Sequence, residues 1–115
     1  MTTDTIENLM LELRRGTLVL SVLSELRRRQ YGYSLKERLA LDGVEIDQGT
    51  LYPLLRRLEK QGLLDSVWEV EESRPRRYYV LSAEGQRVLE TMSHEWQDLV
   101  RVMDRLLEGG NNGTD

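Results

Sequence analysis

The sequence predicts a mainly α-helical fold with one small β hairpin, which is an α+β class. Two observations support this prediction. Apolar residues recur with helical spacing along most of the chain, whereas residues 63–81 alternate in the manner of two strands around a turn. Phenylalanine is absent and the two prolines are well separated, which also favours helices over a strand-rich fold.

Four helical segments precede the hairpin. Apolar side chains follow one stripe in residues 4–13 and again in residues 17–29, where a run of three arginines is typical of a helix C-terminus. Ser34 begins a short third helix that buries two leucines. Asp47 caps a fourth helix, residues 48–61, whose four leucines lie on one face.

The hairpin and a long last helix complete the chain. Residues 63–71 form the outgoing strand, residues 72–75 the tip and residues 77–81 the returning strand, after which Ser82 caps the helix. This order of elements is that of a winged helix-turn-helix. The predicted units are an accessory N-terminal helix (1–14), a winged helix-turn-helix domain (15–81), a C-terminal helix (82–108) and a disordered Gly/Asn-rich tail (109–115).

The composition argues against several classes of function. There is no cysteine and His94 is the sole histidine, so neither a metal site nor a cofactor is expected. The sequence shows no nucleophile–base pair and no phosphate-cradling glycine loop, so the chain is not expected to be an enzyme. No apolar run approaches the roughly 20 residues of a membrane span, and the acidic start differs from a secretory signal. We therefore expect a cytoplasmic protein without a membrane partner.

Two basic clusters indicate a nucleic-acid partner, although the formal net charge is −4. Phosphate binding responds to local charge and not to the total. The exposed face of the fourth helix carries Gln48, Gly49, Thr50, Tyr52, Pro53, Arg56, Arg57 and Lys60, and the hairpin tip carries Arg74, Arg76 and Arg77. These residues are the predicted DNA-binding set, with polar groups near the helix start for base edges and the cations for phosphates. The alternative is a solvated helix face whose cations pair with Glu59.

Pro53 complicates the prediction for the fourth helix. Its ring nitrogen has no hydrogen to donate, so one backbone hydrogen bond is lost inside the helix. The first turn is therefore expected to be distorted, or the regular helix to begin after Gln48.

The same residues resemble a known family. The segments GTLYPLLRRLEKQGL (49–63) and RPRRYYVLSAEG (74–85) are similar to the recognition helix and wing of PadR-type regulators, and the similarity extends over residues 13–85. Four positions depart from the family pattern, namely Tyr31, Ser73, Val80 and Ser82. Val80 stands where the family often has a basic residue. The resemblance implies a regulator that binds a palindromic operator as a homodimer, mainly through the C-terminal helix. It also implies repression that a small molecule relieves.

The last helix independently predicts self-association. Leu89, Met92, Trp96, Leu99, Met103 and Leu106 follow the alternating spacing of a two-helix seam, and the apolar stripe of residues 6–13 is expected to cover the partner's seam. Trp96 and Met92 are also candidates for binding a small aromatic effector between two facing indoles, as the resemblance implies for multidrug-binding members of the family. The alternative is that Trp96 only packs the interface.

Two other functions remain open at this point. The negative net charge favours a winged-helix module that binds other proteins and has no sequence-specific DNA binding. An RNA-binding winged helix is the third reading. A protein that binds duplex DNA should lose affinity steeply with added salt, whereas the interaction module should not bind the duplex. Competition by single-stranded nucleic acid would identify the RNA-binding winged helix.

Overall fold

The computed structural model describes residues 2–112, and it describes side chains as far as residue 109. Within that range there are five helices and three strands, which confirms the predicted α+β class. In chain order they are α1 Thr3–Arg15, α2 Leu18–Glu25, β1 Gln30–Tyr31, α3 Gly32–Leu41, α4 Gln48–Lys60, β2 Leu64–Glu71, β3 Arg74–Leu81 and α5 Ala83–Asn112.

A leucine-rich core fixes the position of α4. The inner faces of α2, α3 and α4 meet the base of the hairpin and the first turns of α5 in one buried cluster. Its members are Val22, Leu23, Leu26, Leu35, Leu39, Leu51, Leu54, Leu55, Leu58, Leu64, Tyr79 and Leu89. Because all four leucines of α4 point into this cluster, the opposite face of α4 is turned toward solvent.

The start of α4 shows how the chain tolerates Pro53. The Asp47 side chain accepts a hydrogen bond of 2.7 Å from the Thr50 amide and caps the helix, as predicted. The helix begins at Gln48 and includes Pro53, so a start after Gln48 is ruled out. Because Pro53 has no amide hydrogen, the carbonyl of Gly49 lacks its usual donor within the helix.

The short strand β1 is absent from the predicted elements. The second helix ends at Glu25 and not at residue 29, because the chain beyond it joins the sheet. The carbonyl of Leu26 accepts from the Leu81 amide at 2.9 Å, and β1 then pairs with β3, which gives the antiparallel strand order β1-β3-β2. Gln30 is buried here, and its amide nitrogen donates to the Glu25 carbonyl at 2.8 Å.

The hairpin tip is tighter than predicted. Glu72 and Ser73 alone make the turn, with φ angles of 49° and 69°. Positive φ at both central residues is the mark of a type I′ turn, whose twist matches that of the two strands it joins. Arg74 and Pro75 therefore lie in β3, opposite Glu71 and Val70, and not in the tip.

The last helix is anchored at one end only. The Ser82 hydroxyl accepts from the Gly85 amide at 2.9 Å and donates to the Gly62 carbonyl at 2.6 Å, which joins the helix start to the end of α4. Beyond Met92 the helix leaves the core, and the molecule measures 65 × 35 × 23 Å. The helix continues to Asn112, past the predicted end at residue 108, because extending an existing helix fixes only one residue for each new bond. Residues 113–115 of the predicted tail lie outside the described residues.

Leu89 corrects the predicted dimer seam. Only 1% of its surface is exposed in the single chain, since it packs in the leucine core. It therefore has no surface left for a partner. Met92 packs partly against the same core, whereas Trp96, Leu99, Met103 and Leu106 are exposed.

Candidate nucleic-acid interface

A groove of about 750 Å³ separates α4 from the hairpin, and we call it the α4–hairpin groove. The core fixes α4 on one side of it, and the pairing of β2 with β3 fixes the other. The predicted residues that line it are Gln48, Tyr52, Arg56, Arg74, Arg76 and Arg77. The structure thus brings Arg56 of α4 together with the three arginines of the hairpin on one surface.

The remaining predicted residues lie elsewhere on α4. Gly49, Thr50, Pro53 and Arg57 line a separate cleft of about 510 Å³ on the opposite flank of the helix, beside Arg15 of α1. Lys60 is exposed in the last turn. The α4 face is therefore bordered by arginines on both sides, and Arg15 is a cation that the sequence analysis did not assign to this surface.

Arg77 is engaged within the chain. It donates to Glu59 of α4 at 2.7 Å and to the Ser66 hydroxyl at 3.2 Å, and that hydroxyl donates to the other Glu59 oxygen at 2.5 Å. Glu59 thus pairs with the hairpin, and not with the neighbouring cations of its own helix. Because these bonds join β2, β3 and α4, they hold the hairpin at a fixed angle to the helix.

The hairpin carries further charge pairs where it adjoins β1. Arg29 bonds Glu69 at 2.6 Å and lies 4.6 Å from the centre of the Tyr78 ring. Arg76 lies 4.4 Å from the Tyr31 ring centre and 3.7 Å from a carboxylate oxygen of Glu71. The acidic residues of the strands are therefore largely matched by arginines, which reduces their repulsion of an anion.

Two tyrosines of β3 stay protonated at neutral pH. Tyr78 donates a hydrogen bond of 2.5 Å to Glu71, and this bond raises the pKa of its hydroxyl. Burial raises the pKa of Tyr79, which lines the groove. Neither side chain adds negative charge to the surface.

Of the six predicted DNA-binding cations, four remain available to an external anion. Across residues 2–112, Arg56, Arg57, Lys60 and Arg74 have no carboxylate within ion-pair distance. Arg56 of α4 and Arg74 of the hairpin both line the α4–hairpin groove. These two are the strongest candidates for phosphate contacts, whereas Arg77 is a positioning residue.

The comparisons with known proteins decide the family. Residues 19–91 match the model of the transcriptional regulator PadR-like family. The chain belongs to this family. A PadR-family transcriptional regulator of Eggerthella lenta, known from its crystal structure, is 50% identical and superposes with a TM-score of 0.86 over 91% of this chain and 94% of that one. A transcriptional regulator of Mycobacterium tuberculosis is 33% identical over 91% of this chain and its own full length.

Membership in the PadR family confirms the resemblance and the winged-helix fold. A PadR-like transcription factor of Bacteroides fragilis has a TM-score of 0.73 at 28% identity, over 86% of this chain and 98% of that one. These relatives are transcriptional regulators and not enzymes, and this chain is a transcriptional regulator of the same family.

Two groups of site residues in this PadR-family chain went unrecognised in the sequence analysis. Tyr31, Tyr33, Trp68 and Tyr79 line the groove beside the arginines. Gly32 supports Tyr52, since a Cβ atom at Gly32 would lie 2.5 Å from the Tyr52 ring. Tyr52 is half-buried, and the outer end of its ring, including the hydroxyl, lies against Gly32 at the groove. Aromatic residues next to the basic motif were the available signal.

Neither metal chemistry nor a membrane span is indicated by the part of the chain that the structure describes. No group of three potential ligands among His, Asp and Glu is close enough to hold a metal ion in residues 2–112. In the same residues no helix combines the length and the apolarity that crossing a bilayer requires.

Proposed function

We propose that this regulator binds duplex DNA as a homodimer and represses transcription, with α4 in the major groove and the hairpin against the adjacent backbone. The observation that carries the proposal is the pair of unmatched arginines, Arg56 and Arg74, on the two walls of the α4–hairpin groove. A helix with its side chains is about 10–12 Å in diameter, which fits a major groove about 12 Å wide, and the 13 residues of α4 extend about 20 Å along it.

The α4 residues divide by their position along the helix. Gln48 and the outer end of Tyr52 lie near the N-terminus, where side chains can reach base edges. Gly49 and Thr50 are exposed in the first turn, where the Gly49 amide suits a phosphate, whereas the Thr50 amide is bonded to Asp47. Pro53 is exposed in the next turn and leaves the helix surface there without a bulky polar group. Arg56, Arg57 and Lys60 lie further along and suit the phosphates that border the groove, and Arg74 and Arg76 extend this role on the hairpin.

Two exposed apolar faces support the homodimer. Trp96, Leu99, Met103 and Leu106 expose between 44% and 65% of their surfaces on the distal half of α5. The stripe of α1, residues 6–13, has no buried member. An apolar surface of this extent on a soluble chain marks an association site. Packing of α1 from one copy on α5 of the other would cover both faces and present two α4 helices to a palindromic operator.

Substitution of Arg56 by alanine tests the DNA part of the proposal. Binding of a labelled duplex of about three helical turns is measured by fluorescence anisotropy at several salt concentrations. We expect the wild type to weaken steeply with salt, and Arg56→Ala to reduce the slope of log K against log salt by about 0.9 per protomer, because one phosphate contact is lost.

Arg87→Ala is the matched control for that measurement. Arg87 is an exposed arginine of α5 that pairs with Glu84, outside the groove, so its removal changes the net charge equally but should leave the slope unchanged. A wild type that ignores duplex DNA in dilute salt contradicts the proposal and favours the protein-interaction module. Preference for single-stranded RNA over the duplex contradicts it in a different way.

The effector part of the proposal concerns Trp96 and Met92. Trp96 exposes 44% of its surface on the proposed dimer face, next to Met92 and Met103. Two such indoles facing each other would accept a flat aromatic molecule between them. In a Trp68→Phe chain, we expect a planar aromatic compound to quench the remaining Trp96 emission and to lower operator affinity. Trp96→Ala should abolish both effects, and quenching without any change in DNA binding would limit Trp96 to packing.

A further inference from the structure

An exposed apolar surface lies on the groove side of the hairpin and is not explained by the folding of the chain. Trp68 exposes 62% of its surface and Val70 exposes 75%. Pro75, the cross-strand partner of Val70, is exposed beside them. We call these three residues the wing facet.

The register of the strands shows which way the wing facet points. Side chains alternate along β2, so Leu64, Ser66, Trp68 and Val70 share one face. Leu64 is buried in the core and Ser66 bonds Glu59 of α4, so this face is turned toward α4. Trp68 accordingly lines the α4–hairpin groove, together with Arg56 and Arg74.

The indole is also held in place. The Arg77 guanidinium lies 5.7 Å from the Trp68 ring centre and is itself fixed by its 2.7 Å bond to Glu59. Arg77 therefore supports the indole from one side, while its charge is neutralised by the ion pair with Glu59. An exposed tryptophan that is supported by a fixed neighbour loses little side-chain entropy on binding.

We infer that Trp68, with Val70 beside it, packs against the deoxyribose of the DNA strand that borders α4. This inference rests on the proposed function. The neighbouring Arg56 and Arg74 select an anionic partner for the groove, and the apolar surface that a duplex offers outside its grooves is the C–H face of its sugars. The phosphate contacts of the arginines then supply the salt-dependent part of the affinity, and the wing facet supplies an apolar part that salt does not screen.

Trp68→Ala tests this inference against Val67→Ala. Val67 is a matched control because it is an exposed apolar residue of the same strand that is not among the residues lining the α4–hairpin groove. Anisotropy is measured with the same arbitrary duplex over a range of salt concentrations. We expect Trp68→Ala to bind about tenfold more weakly at every salt concentration with an unchanged salt slope, since it removes apolar contact and no charge. Val67→Ala should bind as the wild type does.

A second measurement needs no change at position 68. In a Trp96→Phe chain Trp68 is the one remaining tryptophan. The duplex should quench the fluorescence of its indole over the same concentrations at which binding occurs. Thermal unfolding of Trp68→Ala, followed by circular dichroism, should resemble that of the wild type because the side chain is largely exposed.

The outcomes separate the two proposals. If the wild type binds with a steep salt slope but Trp68→Ala binds equally well, the inference fails and the proposed function stands. The inference also fails if Trp68→Ala changes the salt slope, if the emission of Trp68 is unaffected by the duplex, or if the substitution changes the association of the chains instead of DNA binding. A wild type without duplex binding overturns both proposals.

Discussion

Replacing Leu99 and Met103 together by glutamate is expected to convert the proposed dimer into monomers and to weaken the proposed operator binding by more than tenfold. Both residues lie on the exposed face of α5, with 46% and 45% of their surfaces accessible in the single chain. In a symmetric interface each substitution occurs twice, so four carboxylates would be buried without partners. Because the proposed dimer would bind a palindromic operator through two linked α4 helices, monomers would also lose the gain from simultaneous engagement of both half-sites.

Sedimentation velocity at several protein concentrations measures the first effect, and anisotropy with an operator selected from random duplexes measures the second. Leu41→Glu is the matched control, since Leu41 is 86% exposed at the end of α3, away from α5. It should leave both association and DNA binding unchanged. A double variant that stays dimeric, or a wild type that is monomeric at working concentrations, contradicts the proposed interface.

The helices of this fold are predictable because their information is local. Leucines three and four residues apart define the buried face of α4, and Asp47 caps it as its position predicts. The strand β1 is not predictable in this way. It has two residues, and it exists because the chain after Leu26 pairs with β3, which lies about fifty positions further along. Long-range pairing leaves no periodic pattern in so short a segment.

The candidate interface follows the same rule. The sequence shows which residues are charged, but the tertiary structure determines which of them form ion pairs. The sequence identifies the arginines of α4 and the hairpin, but it does not reveal that Arg77 pairs with Glu59, whereas Arg56 and Arg74 have no carboxylate partner among residues 2–109. That difference depends on the angle between α4 and the hairpin. Leu89 illustrates the corresponding problem for apolar residues, since helical spacing is the same whether a stripe packs on its own core or on a second copy.

Gly85→Ala is expected to lower the free energy of unfolding by about 2 to 3 kcal/mol, although alanine is the better helix former. A Cβ atom at Gly85 would lie 2.1 Å from the carbonyl oxygen of Leu63 and 3.0 Å from a methyl carbon of Leu81. The first of these is a backbone atom that cannot rotate away. The same carbonyl accepts the Ser82 amide at 3.0 Å, so moving it would also break the junction between the hairpin and α5.

The sign of the change in stability distinguishes this contact from helix propensity. Propensity alone predicts that Gly85→Ala stabilises the chain by up to about 1 kcal/mol, whereas the close approach of α5 to Leu63 predicts a loss. Gly109→Ala is the matched control, because it lies in the same helix and, beyond its own helix backbone, no atom of the described residues lies within 4 Å of the added Cβ, so it should be neutral or slightly stabilising. Urea unfolding at a fixed protein concentration measures both variants, since dimerisation couples stability to concentration. A Gly85→Ala chain as stable as the wild type would show that α5 can shift away from Leu63, and the position of its distal apolar face relative to α4 would then not be fixed by this junction.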